Sequence, residues 1–272
     1  MFQLVKPEVE SIPRETWNTV KVKWYFWLLI VVSVISVTSL FFLRVVKNDL
    51  INYAGMIPVF GAVAYVASVN KKVRTAFWKN LAELNGWNYK SADDPKREIG
   101  IMFRQGHDQK IYHVIEGEIE GRQFKVFNYH FTIGSGKHRQ TFFYTVFVFK
   151  FNGTFPHIYL NNKANHYDIW VNEKLPVPSE FGKIFSLSAK RGYEIEALEI
   201  FTPEVLSKIL DGKHTSDIEF VDQRMIIFTD KKIDNIRDLE TRIKQALELE
   251  DLLDDKLDKF KFHEIGDRPY NF

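Results

Sequence analysis

Thr132-Ile133-Gly134-Ser135-Gly136-Lys137-His138 sets two glycines and a lysine where backbone amides could cradle a phosphate. The spacing does not complete the loop. A phosphate-binding loop of that kind needs glycine where Phe131 stands, Ser or Thr where His138 stands, and a helix afterwards. The residues that follow alternate as a strand. The glycines instead suit positive φ at a hairpin tip, which leaves Lys137, His138 and Arg139 as a cationic trio for anion or lipid-headgroup contact.

Four of the eight histidines, His130, His138, His157 and His166, fall on or near strand-forming segments, and His166 precedes Asp168 by two. None of them pairs at the i, i+4 spacing of a helical zinc site, and no second carboxylate stands at a defined interval. The one enzyme reading the residues allow is a nonstandard His/Asp site around Tyr129, His130 and His166 to Asp168. No nucleophile-elbow, dinucleotide or kinase motif occurs. The absence of cysteine excludes a disulfide framework, thiol catalysis and thiolate metal ligation. No catalytic, cofactor-binding or metal-ligating residue is therefore assigned, and no cofactor is expected.

The elements that would carry any site begin with a membrane hairpin. Trp24–Leu43 and Leu50–Val69 each run without Asp, Glu, Lys or Arg, and only residues 44–49 separate them. Twenty helical residues cover roughly the 30 Å hydrocarbon core, so each span is long enough to cross a bilayer. Arg14, Lys21 and Lys23 precede the first span and Lys71, Lys72, Arg74 and Lys79 follow the second, against Arg44 and Lys47 in the turn. By the positive-inside rule both termini face the cytoplasm of an inner-membrane, two-pass protein.

Trp24, Tyr25 and Trp27 read as interface anchors, with Lys71, Lys72 and Arg74 near headgroups. Gly61, Ala64 and Ser68 lie at small-residue spacing in the second span, suited to packing on the first span or on another membrane protein. Pro58 and Gly55 add a local kink.

Charge divides along the chain. Residues 1–79 carry +6 and the remainder −4, so the soluble part lacks the basic footprint of a nucleic-acid binder, and none is expected as partner. The layout is an α+β chain: a cytoplasmic tail (1–23), the hairpin (24–70), an amphipathic linker helix (71–86) and a soluble domain (87–272) with an antiparallel sheet and a long C-terminal helix.

In the soluble domain, Ile111–Ile119, Gln123–Ile133 and Arg139–Phe151 alternate as three antiparallel strands, the third apolar on both faces and so central. A further strand follows the Phe155-Pro156 break. The Asn- and Pro-bearing stretch 161–178 is the expected subdomain boundary. Beyond it the sequence predicts a strand over 183–188, helical turns over 194–200 and a helix capped by Thr202 with Pro203 and ended at Gly212. A hairpin turning at Asp222-Gln223 and a helix from Ile236 to Phe260 complete the chain. The wide stripe of that helix fits packing on a sheet, with coiled-coil self-association as the alternative.

The runs 84–89, Gly121-Arg122-Gln123-Phe124 with the Gly134-Ser135-Gly136 tip, 179–187 and 192–204 resemble an uncharacterised family of bacterial two-pass membrane proteins with a cytoplasmic α+β domain of unknown function. The resemblance implies the layout and no activity. The function expected is a membrane-anchored binding or scaffold module. A tethered enzyme and an accessory subunit of a transporter or envelope complex are the alternatives. The expected partners are the lipid bilayer, a membrane or cytoplasmic protein, and a second copy through the second span or the C-terminal helix.

Overall fold

The third expected strand is the axis of the fold. In the computed structural model, which describes residues 4–43, 56–165, 173–229 and 231–257, it runs as β4 (Gln140–Asn162) without ending at Pro156. Two register shifts, between Lys150 and Phe155 and between Phe155 and Ile158, take up the proline, which has no N–H to donate to a ladder. β4 is long enough to serve two neighbours in turn on one side. Its first half pairs with β3 (Arg122–Ile133), and its last residues pair with β6 (Phe185–Ala189).

The seven-stranded antiparallel sheet is completed by β1 (Asn88–Asp93), β2 (His107–Ile119), β5 (Glu173–Lys174) and β7 (Asp217–Phe228), ordered β1-β2-β3-β4-β6-β5 with β7 on the other side of β4. The hairpin expected at Asp222-Gln223 is instead one strand. Both halves of β7 pair with β4, and Asp222, at φ 53°, bulges opposite Phe155 instead of reversing the chain. The segment 161–178 lies within one unit of the chain, not at a boundary, because β5 and β6 continue the sheet across it.

Helices flank these strands. They are α4 (Ser179–Ile184), α5 (Glu194–Ile200), α6 (Pro203–Asp211) and α7 (Ile236–Leu257). The strand expected at 183–188 starts only at Phe185, since 179–184 form α4. Leu239, Ile243, Ala246 and Leu253 of α7 are buried, as the stripe predicts. Glu250, which interrupts that stripe, is held by Arg122 at 2.8 Å, and Gln245 donates to the Gly212 carbonyl at 2.9 Å. His214 beside that turn is kept from charging by burial and then by Arg242, its pKa lowered to about 4.

A histidine lowered on folding binds fewer protons than in the unfolded chain between about 4 and 6.5, so stability falls as pH drops through that window. Allowing for partial exposure, the loss is about 1–2 kcal/mol. His214→Gln should flatten the dependence, read from unfolding midpoints at pH 4.5 and 7. An unchanged slope would exclude His214 as its source.

The chain divides at Leu84/Asn85. Residues 5–84, with Asp234–Ile236, form a separate helical unit. α1 (Ile12–Lys21) leads into α2 (Trp24–Leu43), and α3 (Ile57–Leu84) runs 28 residues without a break, joining the expected second span to the expected linker helix. Pro58 falls in its first turn, where a missing N–H costs nothing and no kink arises. Residues 50–55 of the expected second span lie outside the described residues. Gly86, at φ 70°, follows the helix end in the left-handed region where glycine stops a helix.

Among the described residues no single helix is long and apolar enough to cross a membrane. Ile12–Lys21 and Trp24–Ser39, bent by 85°, reach that length and composition only as a pair. Phe26, Ile30, Tyr65, Val66 and Val69 join α2 to α3, and the Tyr25 and Tyr65 hydroxyls meet at 2.9 Å. These bulky side chains make the contact. The small residues Gly61, Ala64 and Ser68 are exposed on another face of α3.

Candidate functional site

One face of the sheet changes character along its length. Cross-strand register places Phe127 opposite Val146 and Tyr129 opposite Tyr144, so Phe127, Tyr129, Phe131, Tyr144, Val146, Ile226 and Phe228 form a continuous apolar face. Two residues from Phe127 on the same face, the pattern gives Lys125, and two residues from Val148 it gives Lys150 opposite Arg224. The aromatic floor becomes charged.

The segment between β1 and β2 crosses both halves as a strap with two short turns, Pro95–Arg97 and Met102–Arg104. At the second turn Phe103 enters the aromatic core, 5.0 Å from the Tyr129 ring. The first turn, capped by the Asp94 carboxylate accepting from Lys96 N at 3.0 Å, walls the charged end. Between the turns the strap is pinned by Glu219, whose Oε1 accepts from Ile101 N at 2.7 Å and from His157 Nε2 at 2.6 Å. Glycine is required beside this bond, since a Cβ on Gly100 would stand 2.8 Å from Glu219 Oε2.

What remains between strap and floor is a cleft of about 710 Å³ lined by Lys90, Asp93, Arg97, Glu98, Glu116, Glu118, Gln123, Lys125, Lys150 and Arg224, among others. That is room for a small molecule. Its base is an ion network. Lys125 Nζ donates to Glu98 at 2.5 Å and Asp93 at 2.7 Å, with Glu116 at 3.6 Å; Glu98 also meets Arg224 at 3.3 Å, and Lys90 meets Glu116 at 2.7 Å.

Burial works against the Lys125 charge, and its bonds to Asp93 and Glu98 overcome that, so its pKa is raised. Asp93 shows the mirror case. Burial pushes it up, but Lys125 and the Asp94 amide hold it below the usual carboxylate value. Both shifts favour the charged forms, so the Lys125–Asp93 pair is an electrostatic anchor at the base of the cleft.

The sequence-expected residues lie elsewhere. Lys137, His138 and Arg139 sit exposed on the β3–β4 turn, where Gly134 and Gly136 do take positive φ, and Arg139 pairs with Asp108 at 2.9 Å. They do not line the cleft. Trp24, Tyr25 and Trp27 are exposed at the start of α2, and Lys71 and Lys72 are exposed on α3. Arg74 is largely covered and bonds Asp234 at 2.6 Å, so its charge is spent within the helical unit. There the Asp234–Ile236 segment also pairs with the start of α1, through Ile12 N to Asp234 O and Ile236 N to Glu10 O.

Tyr129 and His130, the core of the enzyme alternative, diverge. As neighbours in a strand they point to opposite faces. Tyr129 is buried, with burial raising its pKa, while His130 lies between the Tyr112 and Phe143 rings, its pKa lowered by burial and then by Lys110 and Lys232. His166 and Asp168 lie outside the described residues.

The cleft residues were missed because they are spread from Lys90 to Arg224 and make no local motif. One signal existed in the sequence. Lys125 stands on the face of β3 whose next residues, Phe127, Tyr129 and Phe131, are core residues.

No family model matches the chain, and no curated protein matches it. Among solved structures, the mycobacterial trehalose monomycolate transport factor A, TtfA, is similar over 66% of this chain and 92% of its own, at 18% identity and a TM-score of 0.44.

Proposed function

We propose that this protein is a membrane-anchored binding module. α2 and the apolar half of α3 sit in lipid, and the sheet unit presents its charged cleft on the cytoplasmic side of an inner membrane. One observation carries the membrane reading. Leu28, Val31, Val34, Ile35 and Val37 of α2, and Phe60 and Val63 of α3, are each more than 40% exposed. Leaving such side chains in water forfeits about 1.5–3 kcal/mol apiece for full exposure, and hydrocarbon removes the penalty. The basic flanks of the two expected spans support the orientation. The binding reading draws on the cleft, whose volume and charged lining suit a small polar ligand.

The test is fractionation of cells expressing the full chain. The protein should stay in the membrane pellet through an alkaline carbonate wash, and Val31→Arg with Val34→Arg should release most of it, at about 2.5–3.5 kcal/mol per arginine. Wild-type protein released by the wash would reject the anchor.

A second reading, an accessory subunit of a transporter or envelope complex, is favoured by α3. A Cβ at Gly61 would meet nothing within 4 Å, and Ala64 and Ser68 share the exposure, so this small-residue face is open to another helix. Cysteines at 61 and 64 should then cross-link to a different membrane protein in intact membranes. Cross-linking to no partner would remove this reading.

A further inference from the structure

The charges of the cleft do not cancel where they face solvent. Lys125 is held by Asp93 and Glu98, and Lys90 by Glu116, while Arg224 reaches Glu98 through one guanidinium nitrogen at 3.3 Å and stays partly exposed. Lys150 and Arg97 are exposed, with no side-chain ion pair among the described residues. Lys150 stands directly opposite Arg224 across the β4–β7 ladder. Like charges in register repel, with Cβ atoms about 4.5–5.5 Å apart, and a sheet tolerates them best where an anion sits between them. The carboxylate near this pair, Glu98, is already divided between Arg224 and Lys125.

We propose that the cleft takes a small ligand bearing one phosphoryl group, seated on Lys150 and Arg224 with Arg97 of the strap as its third cation. A phosphate monoester carries between about −1.5 and −2 at neutral pH and three acceptor oxygens, which matches three donors of that charge better than a single carboxylate does. Glu118, the remaining lining carboxylate without an ion pair among the described residues, and Gln123 would meet hydroxyl or amine groups on the rest of the ligand. At about 710 Å³ the space exceeds a bare ion, so an organic phosphate fits it better than inorganic phosphate alone. The proposal rests on reading the cleft as the binding site, and it is independent of the membrane anchor.

The phosphoryl group could arrive on a soluble metabolite or on a lipid headgroup, and one readout separates these. The full chain is reconstituted in phosphatidylcholine nanodiscs and treated briefly with an amine acetylating reagent, and acetylation at Lys150 and Lys137 is followed by mass spectrometry. With glycerol 3-phosphate near ten times its Kd, Lys150 should react about tenfold more slowly while Lys137 is unchanged. Protection that needs phosphatidic acid, a lipid phosphate monoester, in the disc, and not free glycerol 3-phosphate, would assign the group to a lipid.

Arg97→Gln, an exposed change outside the buried network, should weaken the protection severalfold without altering the melting temperature. Lys150 reacting at the same rate under every condition would overturn the proposal, as would protection indifferent to Arg97→Gln. If the carbonate wash releases the protein but Lys150 is still protected, the anchor fails and the phosphoryl site stands.

Discussion

Lys125→Met is expected to destabilise the sheet unit by about 2–4 kcal/mol at pH 7, because it strands Asp93 without its cation and leaves Glu98 only Arg224 at 3.3 Å. Both carboxylates are well covered, Glu98 at 5% side-chain exposure, so water cannot replace the lost partner cheaply. The pH dependence identifies the cause. In the wild type, Asp93 is lowered and Lys125 raised, so the stabilisation is whole between about pH 4 and 10.5. It fades as pH falls through the folded value of Asp93, or rises through that of Lys125.

In the variant Asp93 no longer gains from staying ionised, so the deficit should shrink as the pH falls and Asp93 takes up its proton. Unfolding midpoints of the full chain in detergent, compared at pH 4.5 and 7, check this. A deficit independent of pH would mean that lost packing, not stranded charge, is responsible. The companion change Glu98→Gln keeps the shape and should cost less, since Lys125 retains Asp93.

Gly106→Ala is expected to cost about 3 kcal/mol or more, and to disturb the cleft from a distance. Gly106 ends the strap at φ 62°, and a Cβ there would stand 2.2 Å from the Thr132 carbonyl oxygen and 2.9 Å from the Phe131 ring. The nearest obstacle is backbone of β3, which cannot swing aside as a flexible side chain would, so the strap must shift. Since the strap carries Phe103 into the aromatic core and Arg97 and Glu98 to the cleft, lower thermal stability should come with loss of phosphate-ester protection at Lys150. Gly121, also at positive φ but with open space around its would-be Cβ, supplies the contrast. Gly121→Ala should cost only the backbone strain, about 1 kcal/mol. Equal losses at both positions would show that φ alone matters and that the strap is not held by close contact.

How far the sequence revealed this structure depended on whether a feature was local. β2, β3 and the first half of β4 were legible because alternation is a property of neighbours, and burial follows it: Phe147 and Phe149 on one face and Val146 and Val148 on the other are all covered. The start of α6 was legible from Thr202-Pro203 for the same reason. Pro156 and Asp222-Gln223 misled because each, alone, is a good signal for ending a strand. What overrode them was the pairing of β4 with β7, a contact between segments about 70 residues apart that lets both strands bulge together and continue. β1 was missed because Asn88–Asp93 is polar and lies at the sheet edge, with little burial to imprint a pattern. The cleft was invisible as a site because its charges come from β1, the strap, β2, β3, β4 and β7, and only cross-strand register brings them to one face.

The chain contains no cysteine, so a single introduced cysteine reports its own exposure without background. The most direct measurement is labelling of intact cells by a membrane-impermeant maleimide, using the full chain with Lys47→Cys in one variant and Lys137→Cys in another. Position 47, between the two expected spans, should be labelled from outside, and position 137, on the β3–β4 turn of the sheet unit, only after the cells are opened. Labelling of position 137 in intact cells would place the cleft on the other side of the membrane and contradict the account.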